Sequence, residues 1–153
     1  MSAPQKSKEL KVFSKRVITI DQIKRDSRKL RLLMIINILE EISEKALTHL
    51  IYLIQKEKGI DLGYKFFLVA GNPSSKQLLD DIFALLYVGL IETNPRNKKL
   101  RLTSTGKEFL EQTGGVPEEI LSPIKSAIEE LRSKIQLVDA EVELLGSRPR
   151  RRY

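Results

Sequence analysis

The sequence contains no cysteine and no tryptophan, and His49 is its single histidine. Without cysteine the chain forms neither a disulfide nor a thiolate metal site, and one histidine alone does not predict a zinc site. His49 falls off the apolar face of its predicted helix, so we interpret it as a surface residue. We therefore expect neither a metal ion nor a cofactor.

Long apolar segments are also missing. The longest nearly unbroken apolar run, Leu32–Leu39, includes Asn37 and is less than half as long as a membrane-spanning helix. The first six residues, which read Met-Ser-Ala-Pro-Gln-Lys, do not contain the apolar centre of a signal peptide. These absences predict a cytoplasmic protein that does not act on a membrane.

Signatures of catalysis are missing as well. The run Thr105-Gly106-Lys107 is similar to the end of a phosphate-binding loop, but Arg101 stands where that loop needs its first glycine. The sequence shows no nucleophile and base at a suggestive spacing. We therefore expect that the protein is not an enzyme.

Charge is unevenly distributed along the 153 residues, whose net charge is +7. Residues 1–31 carry ten cations and three anions, residues 148–152 carry four arginines, and residues 32–145 have four more anions than cations. We interpret residues 1–20 as a basic N-terminal arm and residues 147–153 as a basic tail. Both suit phosphate contacts on DNA, and they equally suit ribosomal RNA, an acidic protein or unspecific attraction of anions.

The first half of the chain predicts two helices. Asp21 is the predicted cap of a helix that continues through Arg31 to Ile42, because its later apolar residues keep helical spacing. Ser43 is the predicted cap of the next helix, which ends at Lys58-Gly59. Two segments with β-branched or alternating aromatic residues are predicted to be extended: Val17–Ile20 and Tyr64–Val69. Gly71-Asn72-Pro73 then breaks the second of these segments.

The central stretch, residues 74–110, predicts the order helix, strand, turn, strand, helix. Ser74-Ser75 begins a helix of apolar residues at three-to-four spacing, and Gly89 ends it. Leu90–Thr93 then pairs with Leu100–Thr103 across the polar turn 94–99, and another helix follows from Thr105.

This order, with Gly89-Leu90-Ile91 closing the helix and Arg101-Leu102-Thr103 followed by Gly106, resembles the winged helix-turn-helix family. Tyr64-x-Phe66 and the Gly71/Pro73/Ser74 turn are similar to uncharacterised prokaryotic and archaeal members. The resemblance implies a mainly α fold with a small β-hairpin (α+β) over residues 21–113. It also implies a nucleic-acid-binding function, with the following contact residues on the recognition helix and the wing: Ser75, Lys76, Gln77, Arg96, Asn97, Lys98, Lys99 and Arg101.

Acidic residues on the presumed recognition helix argue against a deep fit into DNA. We interpret Asp80, Asp81, Ala84 and Tyr87 as outward-facing, and phosphate would repel two aspartates that faced a duplex. The alternative is a protein-interaction adaptor within a nucleoprotein or ribosomal assembly, with Asp80, Asp81 and Tyr87 as its contact surface.

The C-terminal segment, residues 117–146, predicts a long helix with Ser122 as cap and Pro123 at its first position. Its apolar residues alternate between spacings of three and four, which is typical of a two-stranded coiled coil. We therefore predict a homodimer, and the alternative is that this helix folds back on its own domain. The predicted dimer contacts are Ile124, Ile128, Leu131, Ile135, Val138, Val142 and Leu145, in a seam that begins at Leu121.

Together these features predict a winged-helix protein that binds double-stranded DNA as a homodimer. Its expected role is regulation of transcription or association with the chromosome, in the cytoplasm at the nucleoid. The wing and the basic arms would contact phosphates.

Overall fold

The computed structural model describes residues 19–114 and 116–147, with residues 141–147 as backbone alone. This part of the chain is mostly helical with a long C-terminal helix, as predicted, and it has two small antiparallel hairpins where the sequence predicts one. The elements in chain order are α1 Ile20–Lys24, α2 Ser27–Leu39, α3 Glu44–Glu57, β1 Phe67–Val69, β2 Asn72–Ser74, α4 Lys76–Tyr87, β3 Ile91–Thr93, β4 Leu100–Leu102, α5 Ser104–Thr113 and α6 Glu118–Ser147.

The predicted basic segments lie largely outside the described residues. Of the N-terminal arm only Thr19 and Ile20 are described, and Ile20 begins α1, so the strand predicted for Val17–Ile20 is wrong at its last residue. The tail is described only at Ser147, the end of α6. In the described ranges, no helix is long and apolar enough to cross a membrane.

The single helix predicted from Asp21 to Ile42 is wrong, because the chain forms two helices there. Thr19 caps α1 through a capping box with Gln22, and Asp21 lies in the first turn. The carboxylate of Asp26 then accepts hydrogen bonds from the backbone N–H groups of Arg28 and Lys29, which starts α2. The cap formed by Asp26 thus outweighs the continuous helical spacing of the apolar residues.

Helix α3 begins and ends where the sequence predicts. The Ser43 hydroxyl accepts a hydrogen bond from the Ala46 backbone N–H, and Gly59 follows the helix with a positive φ of 68°. Its inner face, formed by Ala46, Leu47, Leu50, Ile51 and Ile54, is fully buried at the centre of the core.

The extended segment predicted for Tyr64–Val69 is strand only at its end, in β1. It pairs with β2 through Phe67 opposite Ser74, Leu68 opposite Pro73 and Val69 opposite Asn72. Ala70 and Gly71 form the turn, with φ angles of 54° and 83°. Two positive φ values are typical of the type I′ turns that join tight hairpins. Gly71-Asn72-Pro73 is therefore the turn and return strand of a hairpin, where the sequence predicts only a break.

The basic hairpin, residues 91–102, has the predicted pairing. Ile91 lies opposite Leu102, and Ile42 adds a third short extended segment because its backbone exchanges hydrogen bonds with Leu100. Gly89 follows α4 with a φ of 81°, as predicted for the end of that helix. Gly106 is required by close packing, since a Cβ atom there would lie 2.1 Å from the Leu90 carbonyl oxygen.

Helix α6 begins earlier than predicted. The Pro117 carbonyl accepts hydrogen bonds from the N–H groups of Ile120 and Leu121, so the helix begins at Glu118 and Ser122 is not its cap. Pro123 lies inside the helix. The missing N–H removes one hydrogen bond near the helix start, and the surrounding packing maintains the helix.

The apolar seam of α6 is buried in the chain's own core, which contradicts its use as an exposed coiled-coil surface. Helix α6 packs on α3. The helix therefore folds back on its own domain, which was the alternative to the homodimer. Val142 and Leu145 lie among the residues described as backbone alone. The buried or partly buried seam residues are Leu121, Ile124, Ile128, Leu131, Ile135 and Val138. An apolar seam of this kind can pack on a second copy of the helix or on another helix of its own chain. Here it packs on α3 of the same chain.

This packing is testable on α6 itself. Replacing Ile128, which has no exposed surface, by alanine leaves a cavity under α3 and is expected to lower the free energy of unfolding by about 2–5 kcal/mol. The matched control Leu137→Ala, on the same helix with 74% of its surface exposed, should change it by about 0.5 kcal/mol or less. Urea denaturation measures both, and equal small effects would contradict the burial.

Candidate nucleic-acid interface

The polar turn of the basic hairpin, residues 94–99, is fastened to the start of α3 by Glu41. The side-chain amides of Asn94 and Asn97 donate hydrogen bonds of 2.8 and 3.0 Å to the two carboxylate oxygens of Glu41. These bonds, with a further contribution from Arg101, hold the pKa of Glu41 below its usual range. One carboxylate between α2 and α3 thus sets the position of the whole turn.

Bonds within the turn restrict it further. The side-chain oxygen of Asn94 accepts from the Arg96 N–H at 2.9 Å, and that of Asn97 accepts from the Lys99 N–H at 3.0 Å. The Lys98 N–H donates to the Asn94 carbonyl at 2.7 Å, and Lys98 itself adopts a positive φ of 63°. Asn97, which the sequence predicts as a nucleic-acid contact, is therefore part of the framework of the turn together with Asn94.

The four cations predicted on this hairpin divide into two exposed and two paired residues. Arg96 and Lys98 are exposed, and their side chains have no ion pair or hydrogen bond with any residue that the structure describes. Arg101 donates to Glu92 at 2.8 Å and to Glu41 at 3.4 Å. Lys99 forms a 2.8 Å ion pair with Asp139 of α6, and both side chains are mostly buried. Only Arg96 and Lys98 thus present unpaired charge to a ligand.

Asp139 has a second contact that the sequence does not reveal. Its other carboxylate oxygen accepts a 2.8 Å hydrogen bond from the Ser43 backbone N–H at the cap of α3. One side chain on α6 therefore joins the base of the turn to α3. No sequence signal marks Asp139, since its partners lie 40 and 96 positions away.

The predicted contact residues of the recognition helix are mostly occupied in local structure. Ser75 is buried and caps α4 by accepting from the Leu78 N–H. The Gln77 side chain accepts from the Lys65 N–H at 2.7 Å. Lys76 is the exposed member of this group. Of the three, Lys76 alone is free to meet a phosphate, because the other two side chains organise the helix start and the preceding loop.

Asp81 is not outward-facing as predicted, since only 1% of its surface is exposed. It accepts from both Nε and Nη2 of Arg28, at 2.8 and 3.1 Å, and pairs with Lys29 at 3.2 Å. The Tyr64 hydroxyl donates to it at 2.7 Å. Burial, together with this hydrogen bond, raises the pKa of Tyr64, and the bond to Asp81 raises that of Arg28. The Asp81 carboxylate thus joins α4 to α2 and to the loop that follows α3. It is a structural anchor.

The exposed face of α4 contains two aromatic side chains, Phe83 and Tyr87. Only Tyr87 was predicted to face outward. Phe83 and Tyr87 expose 55% and 60% of their surfaces, while Ala84, predicted to face outward, is buried. Exposed residues recur at positions 76, 80, 83 and 87, which is one stripe of a helix. That spacing is visible in the sequence and identifies Phe83.

His49 is half-buried, which corrects its interpretation as a surface residue. It lines a cavity between α3, β2 and the start of α4, together with Thr48, Pro73 and Leu79. Across residues 19–114 and 116–147, no group of three or more His, Asp or Glu side chains could hold a metal ion.

Comparison with protein-family models, with curated proteins and with solved structures gives no match to this chain. What the surface does must therefore be inferred from the contacts and charges described above.

The role of Glu41 gives a prediction for the turn. In the Glu41→Ala variant, amide hydrogen exchange of Arg96, Lys98 and Lys99 is expected to become faster by about tenfold or more, because a hydrogen bond to a charged group contributes about 1.5–3 kcal/mol. The control Glu108→Ala, an exposed residue of α5, should leave these amides unchanged.

Acid should have the same effect as the substitution. A carboxylate whose folded pKa is lowered stabilises the turn above its ordinary pKa of 4.5, and that stabilisation is lost as the pH falls through the lowered folded value. The protection factor, which is the intrinsic exchange rate at each pH divided by the observed rate, should therefore fall in the wild type below about pH 4.5 and show no such step in Glu41→Ala. A step in both proteins would contradict the assignment to Glu41.

Proposed function

We propose that this chain is a winged-helix protein that binds duplex DNA through the basic hairpin, with the hairpin as its wing. The order α2, Ile42, α3, α4, β3 and β4 supports the winged-helix assignment, because Ile42 forms an antiparallel bridge to Leu100 at the edge of the two-stranded sheet. The observation that carries the proposal is the pair of exposed, unpaired cations, Arg96 and Lys98, on a turn held rigid by Glu41. A preorganised turn loses little conformational entropy when its cations meet phosphates.

The binding mode that these charges support is contact with the DNA backbone. Arg96 and Lys98, with Lys76 on α4, supply three exposed cations, and each phosphate that they neutralise releases condensed counterions. Asp80 lies in the middle of the exposed face of α4 and opposes deep entry of that helix into the major groove. Backbone contacts position a protein without reading the base sequence. A chromosome-associated factor or a regulator of low sequence specificity fits this surface best.

A protein-interaction adaptor is the second candidate, and the exposed face of α4 favours it. Phe83 and Tyr87 stand one turn apart with more than half of their surfaces exposed, and aromatic residues are enriched at protein interfaces. Asp81 has no part in this surface, because it is buried. Asp80, Phe83 and Tyr87 would form the contact in its place.

Charge reversal on the hairpin tests the proposal. The slope of log affinity against log salt is negative, and each phosphate contact contributes about 0.9 to its magnitude. The double variant Arg96→Glu/Lys98→Glu is therefore expected to reduce that magnitude by about two. The matched control Lys125→Glu/Lys134→Glu makes the same charge change on exposed positions of α6 and should keep the slope. Fluorescence anisotropy with a random duplex at several salt concentrations measures both.

The same titration separates the two candidate functions. Binding to duplex that weakens with salt, and that needs Arg96 and Lys98, supports the DNA-binding function. No detectable binding even at about 50 mM salt, where phosphate contacts are strongest, would overturn that function and leave the adaptor with its aromatic surface.

Asp139 provides a second, independent test. Replacing the Asp139 carboxylate by a neutral amide removes one negative charge beside Lys99 at the base of the turn. Asp139→Asn is therefore expected to strengthen duplex binding and to increase the magnitude of the salt slope by up to about one. Asparagine can still accept the hydrogen bond from Ser43, so the helix cap is kept. The control Glu130→Gln removes an exposed acid from the same helix and should leave the slope unchanged. An equal gain in both variants would mean that net charge alone is responsible.

A further inference from the structure

The β1–β2 hairpin, residues 67–74, exposes three consecutive large apolar side chains. Phe67, Leu68 and Val69 expose 57%, 58% and 54% of their surfaces. Successive side chains of a strand point to opposite faces, so both faces of the hairpin expose apolar surface. An exposed apolar strand is a common site for association with another chain.

One edge of this hairpin faces the body of the protein and the other faces away. Strand β2 packs against α3, and its residues Asn72, Pro73 and Ser74 line the cavity beside His49. Among the described residues, β1 has β2 as its only strand neighbour. The outer edge of β1 is therefore the edge open to a partner.

The turn geometry determines which backbone groups this outer edge presents. In a hairpin with a two-residue turn, the flanking residues Val69 and Asn72 form a hydrogen-bonded pair. Hydrogen-bonded and non-bonded pairs alternate, so Leu68 and Pro73 form a non-bonded pair. The N–H and C=O of Leu68 then point away from β2, and the N–H that Pro73 lacks would have pointed out of the opposite edge.

Strand β2 thus has a protected edge and β1 does not. Proline is one of the devices that keep edge strands from pairing, and charged side chains are another. Phe67, Leu68 and Val69 include neither, and residues 62–79 contain no aspartate or glutamate. The strand is short, but nothing in its sequence discourages pairing.

We propose that β1 pairs antiparallel with β1 of a second copy of this chain, around a two-fold axis at Leu68. The Leu68 N–H and C=O of each copy then bond to Leu68 of the other, and the two hairpins form one four-stranded antiparallel sheet. An antiparallel pairing of identical strands is self-complementary, as a two-fold interface must be.

The side chains favour a second copy as the occupant. This register places Phe67 opposite Val69 of the second copy on one face, an aromatic and β-branched pair that stabilises sheets. Lys65 falls opposite Gly71, so the Lys65 residues of the two copies lie about 20 Å apart, beyond the screening length of about 8 Å at physiological salt. Like charge therefore opposes this register only weakly.

This dimer replaces the coiled-coil dimer predicted for α6. The seam of α6 stays buried on α3, and the basic hairpin keeps its exposed cations, because residues of neither element belong to β1. A contact of three residues per copy is small, so the expected complex belongs to the weak and transient class. The inference does not depend on the proposed DNA binding.

A single cysteine tests the register directly, because the natural chain has none. A hydrogen-bonded antiparallel pair brings the two Cα atoms to about 5.5 Å, within the range of about 4.4–6.8 Å that disulfides span. Leu68→Cys is therefore expected to form a disulfide-linked dimer under mild oxidation at least about tenfold faster than Phe83→Cys, an equally exposed control on α4. Equal rates for the two variants would overturn the register.

A charge at the open edge tests the association. Sedimentation equilibrium of the wild type over increasing concentration should show reversible dimers, and Leu68→Lys should weaken association at least about tenfold. The control Phe83→Lys adds the same charge to α4 and should dimerise as the wild type does. Because Leu68 is exposed, circular dichroism should show all of these variants folded. A wild type that stays monomeric, or a Phe83→Lys variant as weakened as Leu68→Lys, would overturn the proposal.

Discussion

The packing of α6 on α3 is the interaction on which the rest of the structure depends. It buries Ile124, Ile128, Leu131 and Ile135 in the same core as the inner face of α3. Fully burying such a side chain contributes about 1.5–3 kcal/mol, so this seam is a large part of what orders the chain. It also carries Asp139 to Ser43 and Lys99, so one carboxylate of α6 contacts both the cap of α3 and the base of the turn.

The chain's own carboxylates determine how much charge the basic hairpin has left for a ligand. Glu41, Glu92 and Asp139 occupy Arg101 and Lys99, while Asn94 and Asn97 are consumed in holding the turn. The surface that remains is small, rigid and cationic at its tip. For the proposed DNA binding, rigidity and residual charge matter more than total charge, because a fixed turn loses little entropy when its cations meet phosphates.

Residues near each other in sequence were largely predictable. The Ser43 cap, the end of α4 at Gly89 and the pairing of residues 91–93 with residues 100–102 all depend on local backbone chemistry, and the structure has them as the sequence predicts. Local signals failed where two of them competed. Asp26 starts a helix inside a continuous apolar stripe, and Pro117 supplies the first carbonyl acceptor of α6 ahead of the expected Ser122.

By itself, the sequence determined the helical character of the chain, its basic hairpin and the apolar spacing of its last helix, because these follow from short-range periodicity and turn chemistry. Only the tertiary structure decided which partner each surface takes. An apolar seam packs equally well on its own domain or on a second chain, and an aspartate such as Asp81 reads the same in solvent or between Arg28 and Tyr64. The difference lies in groups brought together from distant positions, which no local pattern records.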